Sequence, residues 1–508
     1  MAIPTKKLIY AYFVCVVASL SMFMYGYDAS TFNTINGFAS WNAFFGDGSC
    51  TKNNATVVCA SVLGNVNTGY TVGAIFTGFF ITPILSDKWG RKFPLMVGAV
   101  FIVGFTFMQT FANDYLTHVL GRGGIGLGQG LMLPIGPVYL GELAPKEIRG
   151  TMMSFWQLFY SVGALLAYFV GLITTNQPWL GNWQWRWVLM CQVIAPIIFF
   201  ICVGFCPESP RWLILKGRKD DARKILYTIR AEEDVEVEIE EMIEVIEREH
   251  AQNPGTFAAY KIIFTQWNIA KRLLMAMVIN FGQQATGQNS LNNYSSTIYK
   301  TIFSQNNVAI INVVNAICGI LFTLNSTIFV DRVGRITLFV GGAIGMAICS
   351  ALAAIVYDTA SDKKSYSLGI GLAVILFIFI FFYKPTWGAT TWIYTGEICK
   401  FAFVISFLIL ITNTILPVPI VVRSQAVGIA TQTQNIASLI LGQIFPIMFN
   451  AWSFNVFFFF TAVNILLAII IWFYPETRGV MLEEIDELFD KKTDTHVSNN
   501  EKKGDIKA

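Results

Sequence analysis

The chain has 508 residues, 54% hydrophobic and 13% charged, with a formal charge of +3 and a mean hydropathy of +0.55. Soluble domains carry about 25% charged residues, so the 67 Asp, Glu, Lys and Arg side chains cannot cover a soluble body of this length. The small net charge excludes a basic nucleic-acid surface, and the 43 Phe suit helices that face acyl chains.

In chain order, Lys6 and Lys7 precede an apolar run from Leu8 to about Tyr27, with no small-residue cleavage site after it. It reads as an uncleaved first span. Five more runs of span length start near Thr68, Phe93, Leu116, Met152 and Trp187, and end near Ile84, Ala112, Leu140, Ile173 and Phe205. The loop from Ala29 to Asn67 holds only Lys52 as a base and carries Asn54-Ala55-Thr56, a glycosylation acceptor pattern. Cys50 and Cys59 flank that pattern and would pair if the loop is luminal. Cys15, Cys191 and Cys318 lie in apolar runs as small hydrophobes, and the nine Cys form no metal-spaced set.

A charged stretch follows, Pro207 to Arg272. Within it Val235, Ile239, Ile243 and Ile246 recur at helical spacing, which predicts an amphipathic, water-exposed helix. A second group of six runs starts near Leu273, Val308, Ile336, Leu368, Gly428 and Asn455 and ends near Phe473. Lys and Arg in the short loops set orientation. Lys88, Arg91 and Lys92 follow span two, Lys146 and Arg149 span four, and Arg211, Lys216, Arg218 and Lys219 span six. These loops are expected on the cytosolic side, with both termini.

The two groups repeat. Asp87-x-x-Gly90-Arg91 returns as Asp331-x-x-Gly334-Arg335. Tyr139-x-x-Glu142-x-x-Pro145-x-x-x-Arg149 returns in part as Tyr394-x-x-Glu397. Pro207-Glu208-Ser209-Pro210-Arg211 returns as Pro475-Glu476-Thr477-Arg478-Gly479. Three unlike motifs in one order predict a duplicated, all-α, polytopic membrane fold with two parallel six-helix halves. The expected division is 1–206, a cytosolic helical linker 207–271, a second half 272–474 and a cytosolic tail 475–508. The acids and arginines at cytosolic helix ends can bond helix termini and each other across a gap. Asp87, Arg91, Glu142, Arg149, Asp331, Arg335, Glu397 and Arg423 are therefore the expected gating residues.

Ionisable residues inside spans are costly and mark function. Asp28 closes span one and Arg122 lies early in span four, an acid and a base at span ends; Glu142, Glu397 and Lys384 are the others. Gly121 to Gly128 lacks a preceding strand and predicts a closely packed membrane helix, not a nucleotide cradle. Span seven carries Asn280, Gln283, Gln284, Gln288, Asn289, Asn292 and Asn293; span five carries Gln157, span ten Trp387 and Trp392, span eleven Gln432, Gln434 and Asn435. Amides donate and accept at once, and an indole face packs on a sugar ring. The pattern points to a neutral, hydroxyl-rich cargo.

Together Gly26-Tyr27-Asp28, Asp87 to Arg91, Gly121-Arg122, Pro137 to Gly150, Pro207 to Leu213, Gln283-Gln284-x-x-Gly287-x-Asn289 and Pro475 to Gly479 resemble the sugar porter family of the major facilitator superfamily, most closely fungal hexose transporters. The resemblance spans about residues 8 to 490. It implies a sugar site of Gln157, Gln283, Gln284, Asn289, Trp392 and Gln434, with Asp28 and Arg122 as a proton-coupling pair. The chain departs from the family at Gly388-Ala389, where many members have Gly-Pro, at Ala29-Ser30, and at Lys384, where a neutral or acidic residue is expected. The implied function is alternating-access transport of a monosaccharide, a hexose such as glucose, coupled to protons, by a monomer in the plasma membrane without cofactor or metal. A polyol or quinate-type carrier is the alternative; a transporter-like nutrient receptor would carry a longer tail. No catalytic constellation is visible, since His118, His250 and His496 lie far apart.

One apolar stretch, about Phe401 to Val422, spoils the count of twelve. In the first half Arg149 follows Glu142 by seven; in the second, Arg423 follows Glu397 by twenty-six, an excess of nineteen. Cys399-Lys400-Phe401 can be encoded TGT-AAG-TTT, which holds the intron start GTAAGT. Thr412-Asn413 can supply the branch sequence ACT-AAC, and Pro417-Val418, as CCA-GTC, the closing AG. Residues 399–417 are accordingly expected to be a translated intron. Its removal joins Glu397-Ile398-Phe to Pro419-Ile420-Val421-Val422-Arg423 and restores Glu-x-x-Pro-x-x-x-Arg. The Asp motifs lie 244 residues apart and the Pro-Glu motifs 268, which becomes 249 after the removal.

Overall fold

The computed structural model describes residues 5–45, 60–145, 148–230, 232–251, 267–360, 365–398 and 420–476. The acceptor pattern at Asn54, the Cys50–Cys59 pair, the insert 399–417 and the tail beyond 476 lie outside the described residues.

Twelve units of the described chain correspond to the twelve spans. In the first half they are Thr5–Asn36, Ala60 to Trp89, Lys92–Thr110, Tyr115–Leu143, Arg149–Thr175 and Trp183 to Phe205. In the second they are Trp267 to Tyr299, Gln305–Val333, Arg335–Thr359, Tyr366 to Ile398, Ile420–Trp452 and Val456–Trp472. Among the described residues nine stretches are long and apolar enough to cross a membrane, the last, Ile429–Trp472, containing two helices. Spans four and seven are missing from that set. They carry Arg122 and the amides, so polarity marks the helices that face inward.

Equivalent neighbours pack in the two halves. Span three lies on span four and span nine on span ten; span two meets span four. The halves meet where span two packs on span eleven, span five on span eight, and span one on the outer part of span seven. Apolar side chains such as Ile9, Phe80, Phe205 and Phe473 are left on the outside of this body, as a bilayer permits.

Local chemistry sets the breaks. Asp114 caps span four by accepting from the Thr117 amide at 2.8 Å. Span seven breaks at Gly287, whose φ of 105° a side chain would strain. Span ten widens into a π-turn at Lys384–Gly388, where Pro385 withholds its amide. Where many relatives in the family have Gly-Pro at 388–389, this chain places its proline one turn earlier, at Pro385. The linker folds as Pro210–Leu215, Lys219–Ile229 and Glu232–Ala251. Val235, Ile239 and Ile246 of the last are buried as the spacing predicted. Buried Arg230 pairs with Glu238 at 2.8 Å and donates to the carbonyls of Leu143 and Ala144, tying the linker to the inner end of span four.

Candidate functional site: a polar cleft between two halves

The motif glycines are explained by the acids that follow spans six and twelve. Gly90 has φ 91°, and a Cβ there would stand 2.4 Å from Glu208 Oε2. Glu208 accepts from the amides of Arg91 at 2.9 Å and Lys92 at 3.2 Å, at the start of span three. Gly334 has φ 96°, and Glu476 accepts from the amides of Arg335 at 2.8 Å and Ile336 at 2.9 Å, at the start of span nine. A carboxylate over a helix N-terminus is favoured by the helix dipole. The tyrosines repeat too: Tyr139 Oη donates to the Pro207 carbonyl at 2.5 Å and Tyr394 Oη to the Pro475 carbonyl at 2.9 Å.

Of the expected gating residues, Arg91 and Glu142 come together across the gap between the ends of spans two and four. Arg91 pairs with Glu142 at 3.3 Å and donates to the Ser86 carbonyl, while no ion pair to Asp87 is present among the described residues. The Arg91 guanidinium is thus held by a backbone carbonyl and by a carboxylate 51 positions away. The helix positions of Arg149, Asp331, Glu397 and Arg423 are described, but their side chains lie outside the described set.

Asp28 and Arg122 are not at span ends. Span one continues to Asn36 and span four to Leu143, so both sit inside helices, 0% and 2% exposed. They form a direct ion pair. Gln192 donates to the same carboxylate oxygen at 2.8 Å, and the Arg122 guanidinium lies 4.7 Å from the centre of the Tyr70 ring. Such a pair is stable only intact, since removing either charge strands the other. Asp28 Oδ2 has no hydrogen-bond partner among the described residues, so one oxygen can take a proton.

The expected ligand residues lie on spans five, seven, ten and eleven, and none of them is among the side chains that line the cleft of Ser30, Tyr160, Gln288, Asn292 and Lys384 between the halves. Gln283 Nε2 donates to the carbonyls of Trp387 at 3.1 Å and Gly388 at 3.4 Å, while its Oε1 is buried without a partner among the described residues. Asn289 Oδ1 accepts from Asn293 at 3.1 Å and Ser438 at 3.4 Å, and its Nδ2 is left over. Gln157, Gln284 and Gln434 are partly exposed on spans five, seven and eleven, the helices that form the interface. Trp392 meets Trp156 of the other half edge-on at 6.5 Å. Trp387, by contrast, is a core residue, fully buried and bonded to the Phe339 carbonyl at 2.9 Å.

A polar seal at the outer ends went unpredicted. Asn33 Nδ2 donates to Ser295 Oγ at 2.6 Å and to no other group of the second half, while its Oδ1 accepts from the Ser296 amide at 2.9 Å. Lys300 Nζ donates to the Asn36 carbonyl at 2.9 Å, and Gln443 Nε2 to Asn65 at 3.1 Å and Thr68 at 2.5 Å. Phe32 meets Tyr294 edge-on at 6.1 Å beside them. Among the described residues, the hydrogen bonds joining the halves all lie at this end. The molecule is closed on the side that the loop charges assign to the outside.

Two duplicated bundles, a cleft of amides between them and a seal on one side define a membrane transporter and not an enzyme. The family model described as Sugar (and other) transporter matches residues 14–489, and the chain belongs to that family. A relative from Aspergillus fumigatus named a probable quinate permease is 30% identical, aligned over 96% of this chain and 90% of its own. One from Bacillus subtilis, named a probable metabolite transport protein CsbC, is 29% identical over 96% of both. The proton:xylose symporter XylE bound to 6-bromo-6-deoxy-D-glucose matches the fold with a TM-score of 0.74 at 23% identity, covering 95% of this chain and 99% of its own. The inward open conformation of XylE from E. coli matches equally, at 0.74 and 23%, over 94% and 99%. The all-α, two-bundle, multi-pass membrane fold and a small-molecule cargo are thereby established.

Proposed function

We propose that this chain carries a small, hydroxyl-rich ring compound across the plasma membrane, with both termini cytosolic, by alternating access coupled to protons. The observation that carries the reading is the polar lining of the cleft between the halves, Ser30, Gln288, Asn292 and Asn315 among it, where Gln288 Oε1 is buried without a partner among the described residues. These side chains complement hydroxyl groups, which also donate and accept. Rocking the halves about the cleft would open the outer seal and close the inner side. Protonation of Asp28 would cancel its pull on Arg122 and free both helices to move. Between a hexose and a cyclic hydroxy acid of the quinate kind, the names of the relatives favour the acid. Uptake by expressing cells of labelled hexoses, pentoses, polyols and quinate tests the reading. Quinate entering with alkalinisation of a weakly buffered medium is expected; uptake of none of the panel would refute it.

A further inference from the structure

Lys384 is a cation that neither the coupling pair nor the seal uses. It opens the π-turn of span ten, and its stem runs past Gly319 of span eight, where a Cβ would stand 3.6 Å from Cε. Its ammonium lies 5.4 Å from the centre of the Tyr160 ring, in span five of the opposite half. It therefore reaches across the interface between the halves.

The surroundings hold no counter-charge. Lys384 lines a cleft between the halves with Ser30, Tyr160, Tyr168, Gln288, Asn292 and Asn315, and it is the one charged residue of the twelve that line it. No ion pair to Lys384 is present among the described residues, whereas the buried Arg122 and Arg230 each hold a carboxylate. Asp28 is committed to Arg122 and Gln192. Contact with an aromatic face only partly offsets the loss of water around an ammonium. Nearby, Gln288 donates to Asn292 at 2.8 Å, but its own Oε1 is buried without a partner. One lone cation beside an unsatisfied amide oxygen is complementary to one carboxylate on a ring of hydroxyls.

We infer that Lys384 receives the carboxylate of the transported acid and so selects it over a neutral sugar. The inference rests on the cyclic-acid reading above and assigns that acid's charge to one residue. A carboxylate there would face Lys384 from the second half and Tyr160 and Ser30 from the first. The charged end of the cargo would thus draw the halves together.

The test uses the full chain in proteoliposomes, with counterflow of quinate and of its uncharged methyl ester. The wild type is expected to prefer quinate. Lys384→Met should raise the apparent Km for quinate about 10- to 150-fold, the loss of one charge-assisted hydrogen bond, and leave ester uptake unchanged. Lys384→Arg should keep most of the preference. Lys384→Met carrying quinate as well as the wild type would overturn the inference and leave the cyclic-acid reading standing. Wild type moving glucose but not quinate would overturn both. Equal loss of acid and ester in Lys384→Met and in a second variant, Lys384→Gln, would assign the residue a structural role and also overturn the inference.

Discussion

Asn33→Ala should unlatch the outer seal. Asn33 is 0% exposed, and two of its hydrogen bonds cross to Ser295 and Ser296 of the second half; a third, to Tyr168 Oη at 2.9 Å, stays within the first. Alanine removes both crossing bonds and adds no clash. At about 0.5–1.5 kcal/mol each, they favour the outward-closed state by roughly 1–3 kcal/mol. Their loss should shift the equilibrium between the two states about 5- to 150-fold. Spin labels report it at Trp179, in the turn between spans five and six, and at Tyr366, at the start of span ten. These positions are 78% and 59% exposed and sit on opposite halves. In a background free of native cysteines, the distance distribution should gain a longer component in the variant. An unchanged distribution would refute the claim that these bonds hold the outside shut.

Asp28→Asn should abolish proton-driven accumulation while leaving exchange down a gradient, and its unpaired Arg122 should lower stability by about 3–5 kcal/mol; accumulation with normal alkalinisation would exclude Asp28 from coupling. Gln284→Ala should weaken substrate affinity about 2- to 12-fold, one hydrogen bond's worth, whereas Gln283→Ala should also lower the melting temperature because Gln283 braces the π-turn at Trp387 and Gly388. If neither changes apparent affinity, the cargo binds elsewhere. Gly90→Ala should cost about 1–3 kcal/mol of stability from its left-handed backbone and the carboxylate of Glu208 at 2.4 Å. Gly104→Ala, with nothing within 4 Å of its Cβ, should not; equal melting temperatures for the two would show the latch to be incidental.

The duplication was legible because it is written in short local motifs. The partners within each motif were not, because the amides that Glu208 and Glu476 hold leave no mark on the sequence. The depth of Asp28 was misjudged for a different reason. Hydropathy falls after Tyr27, where Ser30, Thr31, Asn33 and Thr34 follow, yet the helix runs on to Asn36 with those residues buried. They face protein across the interface, so a scale for contact with lipid ends the span too early. Among them Thr31 and Thr34 donate back to carbonyls of their own helix, while Asn33 holds the seal. Polar side chains three and four apart at the end of an apolar run were the signal for it. Span ten keeps its wide turn although Gly-Pro is absent, because Pro385 withholds an amide at another position.

The structure also bears on the insert at 399–417, which we propose is not part of the working carrier. Tyr394, just before it, bonds the carbonyl of Pro475, after the last span. Two crossings, Ile420–Trp452 and Val456–Trp472, lie between residue 420 and that contact. An even number of crossings returns the chain to its starting side, so residues 398 and 420 belong to the same end of the bundle. The matching connection in the first half, between Leu143 and Arg149, takes five residues; here it takes twenty-one. Loop closure alone does not forbid the longer one, since each doubling of length costs only about 0.6 kcal/mol. The case rests on spacing: removing nineteen residues restores Glu-x-x-Pro-x-x-x-Arg and places Arg423 where Arg149 stands in the first half. Arg423 would then lie within reach of the inner end of span ten, as a gate there requires. Sequencing the mature transcript decides the matter. The expected message lacks 57 bases, and the shortened chain should reach the plasma membrane and transport better than the 508-residue form. A dominant message that keeps those bases and encodes an active 508-residue carrier would falsify the proposal.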